Sequence, residues 1–330
     1  MTTEPFLVLD RARTEAALAD AGALGAALTR ALVSIARGEA SSPPRIAARS
    51  PHGLLGAMPG HVPGLGLAAK LITVFPDPAR PGRSSHRGLV AHFDEQDGRL
   101  LAILDAEPLT ALRTAATATL ALRALARRDT RRIAVIGTGT QAAAQLALLT
   151  RGPVGQSAPR AGGAPGDVEV VLAGRTAAQV ATLAERFGVR AAESIEAAVR
   201  GADAVLCCTG AHAPVLRREW LAPGAHVGSV GGSEGPELDA GTIRDASVFA
   251  EWPGAAGAAP PAGAHELQGL PPERVTLLGS VLDGTHPGRR DDAELTVFKS
   301  TGHAALDVAA AAVAYASAHR SDTAPACVGD

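Results

Sequence analysis

The chain has 330 residues, more than one ordinary core holds and enough for two domains. An apolar fraction of 46% and a charged fraction of 19% are those of a folded globular protein, and a net charge of −2 carries no footprint for nucleic acid or an anionic membrane. No window approaches the roughly 18 apolar residues of a membrane span, and MTTEPFLVLDRARTE lacks the basic and apolar regions of a secretory signal. Residues 12–37 carry apolar side chains at helical spacing and predict one or two helices. The Pro-, Gly- and Ser-rich stretch 41–66 predicts loops around short strands. LAAKLITVF (67–75) alternates and predicts a strand, and 88–105 predicts a hairpin turning at Asp97 and Gly98. Residues 107–127 predict a long helix with Thr110 and Arg113 in its first turns.

From residue 131 the texture changes. A short apolar strand, a glycine turn and an Ala-rich helix run from 131 to 150. VEVVLAGR (168–175), ADAVLCCTG (202–210) and GAHVGSVGG (224–232) predict further buried strands, and 176–188 a helix stopped by Gly188. SVFAE (247–251) and RVTLLGSVLDG (274–284) extend the strand count, and 300–320 predicts a last helix. Continuous apolar strands alternating with helices imply a parallel sheet covered on both faces. The stretches 152–167 and 253–264 are expected to be exposed loops. Cys207, Cys208 and Cys327 show no metal-ligand spacing, so the expectation is a reduced, cytoplasmic protein without a metal.

Gly137-Thr138-Gly139-Thr140-Gln141-Ala142 follows a strand and opens a helix. In a dinucleotide fingerprint the first glycine allows the tight turn, the second lets the backbone approach a pyrophosphate, and Ala142 takes the helix-packing position. The free N–H groups of the helix N-terminus then face the anion. The next strand ends Ala173-Gly174-Arg175-Thr176, with no Asp or Glu for a ribose hydroxyl. Arg175 is a fork that fits a 2′-phosphate, with Thr176 donating beside it. This favours NADPH, with NADH as a weaker alternative; the competing reading of Arg175 is a solvated charge at a strand end.

Lys70 and Lys299 are the only lysines among 31 basic residues. Together with the abundance of Ala and Gly, this points to a coding bias that replaces Lys by Arg wherever Arg serves. A surviving lysine is therefore a stronger functional candidate than an average one. Lys70 interrupts an apolar strand, where an unpaired ammonium is costly. Arg45, Lys70 and Arg113 stand on separate elements and could converge on one carboxylate.

The motifs PPRIA, MPGH, AAKLITVFP, Ser85-His86, LDAEPLTALRTAATATLA, AVIGTGTQA, PGAHVGSVGGS, ELD and TVFKSTGHAALD occur in this order between about residues 43 and 310. In them the sequence resembles the ornithine cyclodeaminase and mu-crystallin family. The resemblance implies an α/β fold: a Rossmann doubly wound parallel sheet domain (117–304) inserted into an α+β substrate-binding and dimerisation domain (1–116 plus 305–330). It implies a homodimer in which Arg45, Lys70 and Arg113 hold the substrate carboxylate beside a nicotinamide. His86 matches a histidine near that site, as a substrate contact or a structural hydrogen bond. Thr114, Gly137, Gly139, Thr140, Gln141, Gly174, Arg175, Thr176, Thr209, Val230, Ser233 and Phe298 are the expected cofactor contacts.

Cyclodeaminases of this family carry Asp where this chain has Ser233, after Val230-Gly231-Gly232. A serine cannot accept a proton near neutral pH as a carboxylate can. Ser233 resembles the ketimine reductase branch instead, although Glu234 stands next to it. The expected activity is NADPH-dependent reduction of a small cyclic imino acid, Δ1-pyrroline-2-carboxylate or Δ1-piperideine-2-carboxylate, to proline or pipecolate. Lys70 and Ser233 are the catalytic candidates, with Lys70 relaying a proton. The alternatives are an NAD-dependent ornithine cyclodeaminase, an amino-acid or opine-type dehydrogenase, or an NADPH-dependent binding protein with little turnover.

Overall fold

The change of texture near residue 131 is a change of sheet. A computed structural model describes residues 5–75, 86–151, 168–232 and 234–323. It divides the chain into two compact units, Met1–Ser34 with Gly38–Arg113 and Ala304–Asp330, and Ile35–Arg37 with Thr114–His303. The first unit opens with β1 (Leu7–Leu9), α1 (Arg11–Ala17) and α2 (Ala21–Ala36). It continues with β2 (Ile46–Ser50), β3 (Gly53–Val62), β4 (Gly66–Val74), β5 (His86–Phe93) and β6 (Leu100–Asp105). The boundary falls within α3 (Ala106–Leu125). The second unit runs through β7 (Arg132–Ile136), α4 (Thr140–Arg151), β8 (Glu169–Ala173), α5 (Ala177–Phe187), β9 (Arg190–Ala191), α6 (Ile195–Val199) and β10 (Ala204–Cys207). It ends with β11 (His226–Ser229), α7 (Ala240–Asp245), β12 (Ser247–Ala250), α8 (Gly254–Gly257), β13 (Val275–Leu277), α9 (Leu278–Leu282) and β14 (Thr296–Lys299). The chain returns to the first unit as α10 (Ala304–Thr323).

The first unit is a six-stranded sheet in the order β1-β6-β5-β4-β3-β2. β1 lies parallel to β6 and the other pairs are antiparallel. Alternation along the strands sorts side chains to two faces. Met58, Lys70, Val90 and Leu104 align across β3 to β6 on the buried face, which α10 covers. Leu55, Leu71 and Leu89 belong to the other face and are exposed. The stretch expected to be loops around short strands holds the ten-residue β3 instead. Its Pro59 falls beyond Ala57, where pairing to β2 ends, so little ladder is lost to the missing N–H.

The second unit is an eight-stranded sheet in the order β13-β12-β14-β11-β10-β7-β8-β9, and every pair is parallel. Both faces are buried: Ala134 and Ile136 of β7 join one apolar cluster, Ile133 and Val135 the other. This is why its strands read as unbroken apolar runs. Strand order reverses between β7 and β10, the switch point at which doubly wound folds bind ligands. Three details depart from the sequence reading. The strand expected across 274–284 stops at Leu277 and continues as α9. The short β14, which the apolar pattern does not single out, lies inside the sheet between β11 and β12. The stretch 253–264 is not simply an exposed loop, because it folds through α8 and buries Ala255 and Ala264 in the core. Among the described residues no single helix is long and apolar enough to cross a membrane.

Candidate functional site

In the first unit Lys70 lies on β4, Arg113 on α3 and Asp307 in the first turn of α10, all buried. Lys70 Nζ is 2.8 Å from Asp307 Oδ2, and Arg113 Nε donates to Asp307 Oδ1 at 3.1 Å. The first turn of a helix favours a carboxylate electrostatically. Burial alone would push the Asp307 carboxyl up, but Lys70 and Arg113 outweigh it and hold the group below its ordinary value. Burial lowers the Lys70 ammonium; Asp307 opposes the shift, while Arg113 and Arg45 add to it. Arg45 is half-buried ahead of β2, so the three predicted cations do share one neighbourhood. One turn before Arg113, the Thr110 hydroxyl is buried without a hydrogen-bond partner among the described residues. A polar group left so is costly unless a ligand completes it. His86 begins β5 opposite Val74; its side chain, like Ser233, lies outside the described residues.

In the second unit the glycine turn joins β7 to α4. Gly137 has φ +121°, and a Cβ there would stand 2.5 Å from the carbonyl oxygen of Cys208 on the neighbouring strand end. Only glycine serves at such a position. Around Gly139 there is open space, Thr140 is exposed at the helix N-terminus, and Ala142 is fully buried. Gln141 Oε1 is buried without a hydrogen-bond partner among the described residues. An approachable backbone at a 12-residue helix N-terminus fits a pyrophosphate. At the end of β8, a Cβ on Gly174 would press Thr138 at 3.0 Å. Arg175 and Thr176 are exposed, and Thr176 caps α5 without a side-chain hydrogen bond, which leaves its hydroxyl available.

Beyond the switch point, the ends of β10 and β11 are tied by one buried carboxylate. Thr209 donates to Glu237 Oε1 from its backbone N (2.6 Å) and its hydroxyl (2.7 Å). Ser229 Oγ (2.6 Å) and Gly231 N (2.9 Å) donate to Glu237 Oε2. Lys299 Nζ donates to Ser229 Oγ at 2.8 Å and to the Gly231 carbonyl at 2.9 Å. Thr209 and Val230 are half-buried at this rim, and Thr114 is buried in α3. Phe298 is wholly buried in β14, in register with Gly228 and Phe249. Glu234 is exposed and pairs with His212 Nε2 at 3.0 Å. Asp307 and Glu237 escaped the sequence reading as individual residues, although both stand inside quoted motifs, TVFKSTGHAALD and ELD. No group of three or more His, Cys, Asp or Glu among the described residues is placed to hold a metal.

A doubly wound parallel sheet with a glycine turn at its switch point defines the class, that of the NAD(P)-dependent oxidoreductases. The sequence model of the ornithine cyclodeaminase/mu-crystallin family matches residues 6–322. The ketimine reductase mu-crystallin of Mus musculus is 32% identical over 272 residues, covering 80% of each chain. The Delta(1)-pyrroline-2-carboxylate reductase of Paracoccus denitrificans is 30% identical over 281 residues, 78% of this chain and 81% of that one. The solved iminosuccinate reductase of Paracoccus denitrificans, in complex with NAD+, superposes with a TM-score of 0.81 at 25% identity, covering 96% of this chain and 97% of that one. The chain belongs to the ornithine cyclodeaminase/mu-crystallin family.

Proposed function

We propose that this protein reduces cyclic ketimine carboxylates, Δ1-pyrroline-2-carboxylate and Δ1-piperideine-2-carboxylate, to proline and pipecolate with NADPH. The observation that carries the reading is the buried Lys70–Asp307–Arg113 cluster with Arg45 beside it. Cations ordered by a shared carboxylate are preorganised to hold a substrate carboxylate in one orientation. Arg45 and Arg113 clamp that carboxylate, and Thr110 is an added hydroxyl donor on the Arg113 face of α3. Lys70, whose ammonium burial makes more acidic, hands a proton to the imine nitrogen, since an iminium carbon accepts hydride far better than a neutral imine. Reduced nicotinamide supplies the hydride when bound. Ser233 stands after Val230-Gly231-Gly232, as in the ketimine reductase branch, and is the candidate hydrogen-bonding partner of the ring nitrogen or nicotinamide.

Exposed Arg175 and Thr176 at the end of β8 support NADPH over NADH. Glu234, the carboxylate next to position 233, pairs with His212 on the exposed rim, which supports reduction over cyclodeamination. The names of the mouse and Paracoccus relatives point the same way. The exposed apolar face of the first sheet, with Val8, Leu55, Leu67, Leu71 and Leu89, is the interface we assign to a homodimer. Sedimentation of a Leu71→Glu, Leu89→Glu variant checks it: a monomer is expected, and an unchanged dimer contradicts the assignment. Free, buried Cys207 and Cys208 suit a reducing, cytoplasmic setting.

The test of the clamp is the substrate carboxylate itself. Δ1-pyrroline, the same ring without it, is expected to be reduced at least about a hundredfold less efficiently, the order expected for losing two charge-assisted hydrogen bonds. Equal kcat/KM for both rings would contradict the clamp.

A further inference from the structure

The second lysine of the chain is as deeply buried as the first, and the reaction proposed above makes no use of it. Lys299 ends β14 with no exposed surface. Besides Ser229 and the Gly231 carbonyl, its ammonium stands 3.0 Å from Glu266 Oε1 and 4.0 Å from Glu237 Oε2. The Glu266 side chain is 2% exposed and its carboxylate oxygens have no hydrogen-bond partner among the described residues, so the ion pair with Lys299 is what offsets its burial. That ion pair and three hydrogen bonds form one connected chain: Glu266, Lys299, Ser229, Glu237, Thr209.

The backbone lying on this network has no slack. A Cβ on Gly232, at φ +82°, would stand 2.8 Å from Lys299 Nζ, and one on Gly231 would stand 2.6 Å from Glu237 Oε1. Two consecutive glycines are thus pressed onto the buried charges, and both strand ends that meet there, Thr209 after β10 and Gly231 after β11, donate backbone hydrogen bonds to the same carboxylate. Ion pairs this deep add little net stability, because desolvation cancels most of their attraction; their best attested use is to specify one arrangement. In a doubly wound sheet the two halves of a dinucleotide lie on opposite sides of the switch point. The turn after β7 and the end of β8 serve the adenosine half. The ends of β10 and β11 serve the other.

We propose that Lys299, backed by Glu266 and linked through Ser229 to Glu237, is a positioning residue for the nicotinamide half of the cofactor: it fixes the backbone from Ser229 to Gly232 and leaves the adenosine half untouched. The inference rests on the dinucleotide reading. Its test compares NADPH with 2′-phospho-ADP-ribose, and NADH with ADP-ribose, by titration calorimetry. Lys299→Met is the direct variant. Lys299→Met with Glu266→Gln removes both charges together and spares the fold an unpaired carboxylate.

In both variants the ADP-ribose ligands are expected to bind within about twofold of wild type, while the dinucleotides lose about tenfold or more, 1.4 kcal/mol per tenfold. Glu266→Gln alone, which leaves the hydrogen bonds of Lys299 to Ser229 and the Gly231 carbonyl in place, keeps dinucleotide affinity near that of wild type. Parallel losses for whole and half cofactors would make Lys299 merely structural and overturn the proposal, as would full dinucleotide affinity in both variants. A wild-type protein that binds no dinucleotide would overturn the cofactor reading itself, a separate failure visible before any variant is made.

Discussion

Lys70 Nζ and Asp307 Oδ2, 2.8 Å apart, join the middle of β4 to the first turn of α10 by an ion pair almost wholly removed from water. Arg113 uses the other oxygen of the same carboxylate. One acidic side chain thus orders two of the three cations on which substrate binding is proposed to depend.

Asp307→Asn keeps the shape and removes the charge. Breaking a buried pair by neutralising one partner typically costs about 3–5 kcal/mol, since the other charge stays buried. A lowered thermal midpoint and a kcat/KM reduced by at least about tenfold, 1.4 kcal/mol in transition-state stabilisation, are expected. Unchanged values for both would show that Asp307 neither orders nor holds the cations.

The pH dependence of the same cluster has a definite sign. The carboxylate binding and proton donation proposed for Lys70 both need it charged, and its ammonium titrates below its ordinary 10.5. kcat/KM is therefore expected to fall on the alkaline side at a pH below 10.5. Asp307→Asn, which removes the one group opposing the shift, should move that limb lower still. Lys70→Arg should abolish the limb, because arginine does not titrate in this range, and with it most of the turnover. An alkaline limb that stays in place in both variants belongs to another group.

The proposed preference for NADPH rests on Arg175. Loss of a charge-assisted bond to a 2′-phosphate is worth about 1.5–3 kcal/mol. Arg175→Ala should weaken NADPH binding by about tenfold or more and leave NADH binding unaffected. Equal effects on the two cofactors in a fluorescence titration would remove Arg175 from the phosphate site.

His226 governs acid stability of the second unit. Its Nδ1 lies 3.0 Å from Thr296 Oγ1, its Nε2 is buried without a partner among the described residues, and burial, reinforced by Arg289, lowers its pKa to about 3. The unfolded chain takes up a proton near 6.5 that the folded protein refuses until about pH 3. Stability is thus complete above 6.5 and declines as pH falls below it, by up to about 1.4 kcal/mol per unit. Urea unfolding between pH 6.5 and 5 measures the slope, and His226→Gln should flatten it. The same slope in the variant would assign the proton elsewhere.

The parallel sheet was legible because its strands are buried on both faces, so β7, β10 and β11 read as apolar runs, and because Gly137 and Gly188 mark backbone that only glycine adopts readily. β3 was hidden for the opposite reason. Its glycines and Pro59 argue locally for loop, and only long-range pairing to β2 and β4 makes the strand. The cations were visible as charges out of place, Lys70 above all. Their partner was not, since an Asp in a helix first turn is ordinary until the fold brings β4 against it. Glu237 is a similar case: one of three acidic residues from Gly231 to Asp239, it gains meaning only when two strand ends converge on it.

The central claim, ketimine reduction, is tested most directly by following NADPH oxidation by the purified protein with Δ1-pyrroline-2-carboxylate and Δ1-piperideine-2-carboxylate in parallel, with NADH as the comparison cofactor. The account predicts rapid oxidation with both rings and a preference for NADPH. No oxidation of either cofactor, with ammonia released from ornithine in the presence of NAD, would contradict it.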